Sequence, residues 1–230
     1  LHIHDRRQRQ MCIRDRASKP AMERITNFVT NWNIISYPGS AWAKQVFPDL
    51  EERDAISSLA KAIFSISRVD NPDPIAAWEK HQQTLTSRQN WLNEKNFSAL
   101  RYSAPGTDLT IGLAKGHEWK GGASTSKNGI TCTPNIPTEE VFTTPHSHRV
   151  DGCVRATKPL VYRGTLIEGI EVEFEKGKIT KARAEKGEEV FLNLLDTDEG
   201  ARRLGEVALV PHSSPISESG LLFYLSLIHI

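Results

Sequence analysis

The stretch EGIEVEFEKGKITKARAE, residues Glu168–Glu185, decides how the second half of the chain is read. Ile170, Val172 and Phe174 alternate with charged neighbours, and Lys176-Gly177 stands where a tight turn belongs. The pattern predicts a β-hairpin with one buried face. Period two recurs upstream in Leu109, Ile111 and Leu113, and a further apolar strand, EVALV, occupies 206–210. Between them FLNLLDTDEGARRLG, 191–205, reads as a pair of helices.

The first half keeps helical spacing instead. Met22, Ile25, Phe28, Val29 and Trp32 form one apolar stripe. Asn33–Tyr37 then reads as a short strand closed by Pro38-Gly39. A second helix starts after Asp49, with Glu52 completing a capping-box-like entrance and Ile56, Leu59, Ala60, Ile63 and Ile66 on its apolar side. A third, entered through prolines, carries Ile75, Trp78, Leu85 and Leu92 on one face, and its tryptophans, 78 and 91, are expected in the core. Helices followed by strands predict a fold between α/β and α+β. The division is expected near Asn96–Ala104, giving a helix-rich α/β portion over 18–98 and a β-rich portion over 99–224.

Composition bounds the function. The chain has 230 residues, 38% hydrophobic and 25% charged, with a formal net charge of +1. That is ordinary globular composition without the basic footprint of a nucleic-acid binder, and no apolar run reaches the length of a membrane span. The cysteines, Cys12, Cys132 and Cys153, are too scattered for a disulfide framework, which favours a reducing cytoplasm.

Both ends are anomalous. LHIHDRRQRQMCIRDR has five arginines in its sixteen residues and neither the apolar core of a secretory signal nor the serine-rich, acid-poor character of a transit peptide. LSLIHI follows Tyr224 without turn or cap logic. Both resemble translated sequencing adapters. Residues 1–17 are accordingly expected to be an extraneous or disordered arm and 225–230 an extraneous tail, leaving a natural stretch from about Ser18 to Tyr224 without a true start or stop.

PNIPTEEVFTTP, 134–145, sets two adjacent carboxylates between prolines in a segment that otherwise reads as buried strand. Neighbours in a strand point to opposite faces, so Glu139 and Glu140 cannot share one environment. Glu206 likewise opens an apolar strand, directly after Gly205. Carboxylates at the mouths of apolar strands repel each other unless a cation stands between them. Other candidates are weaker. His146 and His148 form an HxH read as exposed turn histidines. His212, in the proline-bounded turn VPHSSPI, reads equally as a group that orients a carboxylate and as a plain loop histidine. Cys132 reads as a core thiol, and KGGASTSKNG lacks the lysine-hydroxyl ending of a phosphate cradle.

Taken together, RYSAPGTDLTIGL, NGITCTPNIPTEEVFTTP, RVDGCVRATKPLVYRG, AEKGEE, LLDTDEGARRLGEVALVPHSSPIS and SGLLFY resemble the thermophilic-type aminopeptidases, the aminopeptidase T, S and II group. The resemblance runs from about Ser18 to Tyr224 and is densest from Arg101 onward. It implies a cytoplasmic metalloenzyme, homodimeric at full length, that removes N-terminal residues from peptides through two divalent metal ions (zinc, cobalt or magnesium). It carries one metal ligand to Glu140, with Glu139 the lesser choice, and a second to Glu206. The family's remaining ligands, histidines and an aspartate, lie downstream of LLFY, where this chain has LSLIHI. His229 there matches no family motif, and the piece itself is expected to be inactive. The competing expectations are a non-catalytic β-rich scaffold domain whose glutamates are merely solvated, and a hydrolase dependent on Cys132.

Overall fold

The structure, a computed structural model, describes residues 18–162 and 164–221. The terminal stretches expected to be extraneous, with Cys12 and His229 in them, lie outside the described residues. The chain divides into two compact units, Leu1–Tyr37 with Gly122–Thr138 and Pro38–Gly121 with Glu139–Ile230.

In the first unit, residues 18–26 are helical. The expected stripe to Trp32 is cut short, because the chain leaves the helix through Phe28 at φ 50°. Strand β1 (Ile34–Ile35) falls where the sequence predicts it and pairs in parallel with Asn135–Ile136. A two-residue antiparallel pair, β4 (Ser124–Thr125) with β5 (Thr131–Cys132), completes the unit's strands among the described residues, the partner of β1 being β6 (Asn135–Ile136).

The second unit holds the helices α1 (Ser40–Val46), α2 (Glu52–Ile66) and α3 (Pro74–Lys95). Asp49 does not cap α2, whose N-cap is Glu51 with no side-chain bond. Asp49 lies instead in the turn between α1 and α2. Leu59, Ile63 and Ile66 are buried as expected. Asp73 accepts the Ala76 amide at 3.0 Å to start α3, with Pro74 in its first turn, and Asn96 ends it in the left-handed region. Leu85 and Leu92 reach the core, but Ile75 is 74% and Trp91 52% exposed, so the apolar face of α3 is narrower than its spacing suggests.

Helices give way to strands between Lys95 and Ala99, where the sequence changes period, and the unit takes residues from both sides of that point. An antiparallel sheet follows, in the order β12 (Lys178–Arg183), β11 (Glu171–Glu175), β8 (Pro145–Arg155), β3 (Thr107–Leu113), β2 (Ala99–Ala104). The opening hairpin is β11 and β12. Lys176 and Gly177 both take positive φ, 47° and 81°, as a two-residue hairpin turn requires. Gly177 is obligatory for a second reason, since a Cβ there would stand 1.9 Å from the Ser147 carbonyl of β8. One sheet face buries Leu109, Ile111, Val150, Val172 and Phe174 together with Leu85 and Leu92 of α3 and Phe191 and Leu195 of α4 (Glu188–Leu195). Short strands β9 (Leu160–Tyr162) and β10 (Thr165–Ile167) pair beside α4's entrance, and α5 (Pro215–Glu218) follows the last strand. The expected second helix of 191–205 does not form. The Thr197 hydroxyl takes the Leu194 carbonyl at 2.8 Å, and Asp198 accepts the Gly200 and Ala201 amides, so local side-chain bonds outcompete the helix. The mixed helix-and-sheet class is the one the sequence implies.

Candidate functional site

Two short strands carry the carboxylates. Strand β7 (Val141–Thr143) begins directly after Glu140, and β13 (Val207–Leu209) directly after Glu206. They pair antiparallel, Val141 with Leu209 and Thr143 with Val207. Glu140 therefore stands just beyond one end rung and Glu206 just beyond the other. Continuing the alternation one residue past each strand puts both on the face of the paired Phe142 and Ala208.

The other edge of β7 is bridged by Lys120, whose amide and carbonyl bond those of Phe142 at 2.9 and 2.8 Å. The Thr143 hydroxyl donates to the Glu118 carbonyl at 2.7 Å. Asn93 of α3 bonds both amide and carbonyl of the fully buried Trp119, at 2.7 and 3.1 Å. Segment 118–120 is thus fastened to α3, and β7 to segment 118–120. Gly121 allows the close approach. A Cβ there would meet the Glu140 carbonyl at 2.7 Å and a Val141 methyl at 2.9 Å.

The adjacent glutamates part company. Glu139 is 5% exposed and lies against Arg68, whose Nη1 is 2.7 Å from Oε1, with His81 Nε2 at 3.8 Å from the same atom. Glu140 is 8% exposed and has no ion pair among the described contacts. Burial, and after it the charge of Glu206, pushes the Glu140 carboxyl up to about 7. Glu206 is more exposed, yet burial of part of its side chain raises its carboxyl too. One glutamate is neutralised by the protein, and the other keeps its charge problem.

A divalent cation would relieve such a charge, because carboxylates supply the hard oxygen ligands it takes and are stabilised by a positive charge beside them. Glu140 and Glu206 are of the donor type that such a cation takes, and Glu140 feels the charge of Glu206. Among the described residues no group of three or more histidine, cysteine, aspartate or glutamate side chains gathers to hold a metal ion.

The remaining candidates lie elsewhere. His146 and His148 sit on strand β8, not in a turn, their rings edge-to-face at 6.2 Å. His212 is exposed in the turn after β13. Cys132 is only half-buried, on β5 of the first unit, so the expected core thiol lies nearer the surface. KGGASTSKNG carries β4 and a turn with no helix after it. Arg68, His81 and Gly121 were not foreseen. A buried glutamate demands a counter-charge, but nothing in the sequence selects one cation from 29 lysines and arginines.

A family model described as thermophilic metalloprotease (M29) matches residues 3–228. The chain belongs to the M29 thermophilic metalloprotease family. Aminopeptidase T of Thermus thermophilus is 56% identical over 209 residues, 91% of this chain and 51% of that protein. Aminopeptidase 2 of Geobacillus stearothermophilus is 49% identical over 218 residues, 92% of this chain and 53% of its own length. The solved structure of wild-type AmpT from Thermus thermophilus superposes with a TM-score of 0.86 at 54% identity, over 92% of this chain and 52% of that one. The chain thus spans about half the length of the M29 relatives it matches.

Proposed function

We propose that the chain is part of a metal-dependent aminopeptidase that releases N-terminal residues from peptides, with Glu140 and Glu206 as two of its metal ligands. The pairing of these carboxylates carries the proposal: they open neighbouring strands of one ladder, on one face, and Glu140 feels the charge of Glu206. The family and the aminopeptidases that match the chain support it.

When bound, the metal ions, two in number and zinc, cobalt or magnesium in kind, polarise a peptide carbonyl and lower the pKa of water. The chain's own part is to hold two carboxylates rigidly and keep water from solvating the buried one. Glu140 does so one residue before a strand bonded along both edges, and Glu206 one residue before the strand paired with it. Peptides are the substrates in this proposal, and the full-length protein works in the cytoplasm as a homodimer. Residues 18–98 belong to an N-terminal α/β domain and 99–224 to the metallopeptidase domain.

Two measurements test it. The chain completed with the remaining portion of aminopeptidase T, supplied with cobalt, zinc or magnesium, is expected to release leucine from leucyl peptides. Glu140→Gln and Glu206→Gln should each lower the rate at least about 100-fold, the upper end of losses at metal-supporting positions. Unimpaired turnover by Glu140→Gln would end the assignment. The 230-residue chain alone should bind cobalt weakly and show no turnover, because affinity needs several deprotonated ligands in one cage. Sub-micromolar binding with turnover would show that a complete site exists elsewhere in it.

A further inference from the structure

Helix α2 ends in a way that its sequence alone makes uneconomical. The Arg68 amide bonds the Ser65 carbonyl at 3.0 Å, and the Val69 amide bonds the Phe64 carbonyl at 2.9 Å, the paired closure of a Schellman motif. In that motif the residue in Arg68's place is left-handed, and Arg68 has φ 61°. Glycine takes this conformation freely, and asparagine takes it readily, whereas a long side chain is strained there. The arginine side chain must do something that a glycine could not.

It reaches the buried Glu139. Nη1 donates to the Ile66 carbonyl at 3.2 Å and lies 2.7 Å from Glu139 Oε1, an oxygen that accepts no hydrogen bond among the described residues. The guanidinium stacks over Trp78 of α3 at 5.8 Å, and the Trp78 indole donates to the Ser67 carbonyl at 2.7 Å. His81, one turn further along α3, brings its Nε2 to 3.8 Å from the same oxygen. The end of α2 and one face of α3 together make a socket for a single side chain.

Resting on the metal-site assignment above, we propose that Arg68 is a positioning residue: by drawing Glu139 into this socket it fixes the rotation of the segment entering β7, so that Glu140, the next residue, is turned the opposite way toward the face it shares with Glu206. Adjacent side chains of an extended segment point apart, so anchoring one orients its neighbour. The anchor is an ion pair whose carboxylate is buried and whose guanidinium is half-buried, set on a residue whose backbone is left-handed.

The decisive variant is Arg68→Met with Glu139→Gln, which removes both charges and leaves neither buried alone. Two readouts are taken on the 230-residue chain. Hydrogen exchange of the 140–143 amides is expected to quicken by about tenfold or more, while the β11–β12 hairpin keeps its protection, the signature of local release. Cobalt affinity by calorimetry is expected to weaken roughly tenfold, as when a ligand's support is removed. Arg68→Lys, which keeps the charge but not the stacking plane, should recover part of both. If the double variant exchanges at 140–143 like the unaltered chain, Arg68 is packing alone and the proposal is wrong. Glu140→Gln separates the two proposals: if it binds cobalt as the unaltered chain does, the metal assignment fails, and the exchange result by itself still judges Arg68.

Discussion

Replacing Glu140 with glutamine should make the chain more stable at high pH and leave it nearly unchanged at low pH. The Glu140 carboxyl is raised from 4.5 to about 7. Between those values the folded protein holds a proton that the unfolded chain has released, so stability falls as pH rises through the interval. At about 1.4 kcal/mol per pH unit, the full penalty above pH 7 is about 3 kcal/mol. The side chain is only 8% exposed, so solvent screening removes little of it. Glutamine has nearly the same shape and never ionises. In urea unfolding with chelator present, Glu140→Gln should therefore match the unaltered chain at pH 4.5 and exceed it by about 2–3 kcal/mol at pH 8. Saturating cobalt should recover part of the difference for the unaltered chain alone, by binding the folded state. Parallel pH profiles for the two proteins would refute the idea that Glu140 bears an uncompensated buried charge.

Three further outcomes follow from the same geometry. Glu139→Ala strands the Arg68 guanidinium and should cost about 3 kcal/mol in the same unfolding assay, the range for breaking a buried ion pair from one side. Gly121→Ala forces a methyl to within 2.7 Å of the Glu140 carbonyl, and should lose about 1–3 kcal/mol of stability and weaken cobalt binding in calorimetry. Cys132→Ala, on a half-buried strand of the other unit, should leave cobalt binding and the activity of the completed chain unchanged. Loss of activity there would favour thiol chemistry.

The hairpin shows why parts of this fold were legible in sequence. Ile170, Val172 and Phe174 recur at the strand period next to a turn that needs positive φ, and all the relevant forces are local. The same holds for the cores of α2 and α3. Legibility ends where side chains compete with backbone: Thr197 and Asp198 stop a helix that the apolar spacing of 191–205 extends. It ends also at Trp91, which lies about 100° around α3 from the buried Leu92 and so turns away from the core. In the candidate site the glutamates announce themselves, because charged residues bracketing apolar strands are costly. Their different fates do not, since Arg68 lies 71 positions before Glu139 and reaches it only through the packing of two helix ends.

The ladder that holds Glu140 has a temporal consequence. Phe142 pairs with Lys120 on one side and with Ala208, 66 positions downstream, on the other. Closing so long a loop costs entropy before any rung repays it, and pairings of high sequence separation form late. The local hairpin β11–β12 can assemble first, while Glu140 is still hydrated and free of its burial penalty. Its charge is then felt only on the native side of the folding barrier. In stopped-flow kinetics at pH 8, Glu140→Gln should slow unfolding and leave the folding rate nearly unchanged, as a position unformed in the transition state does. A faster folding limb would instead put this ladder in the nucleus, and would mean that the two glutamates are set in place before the sheet beside them is complete.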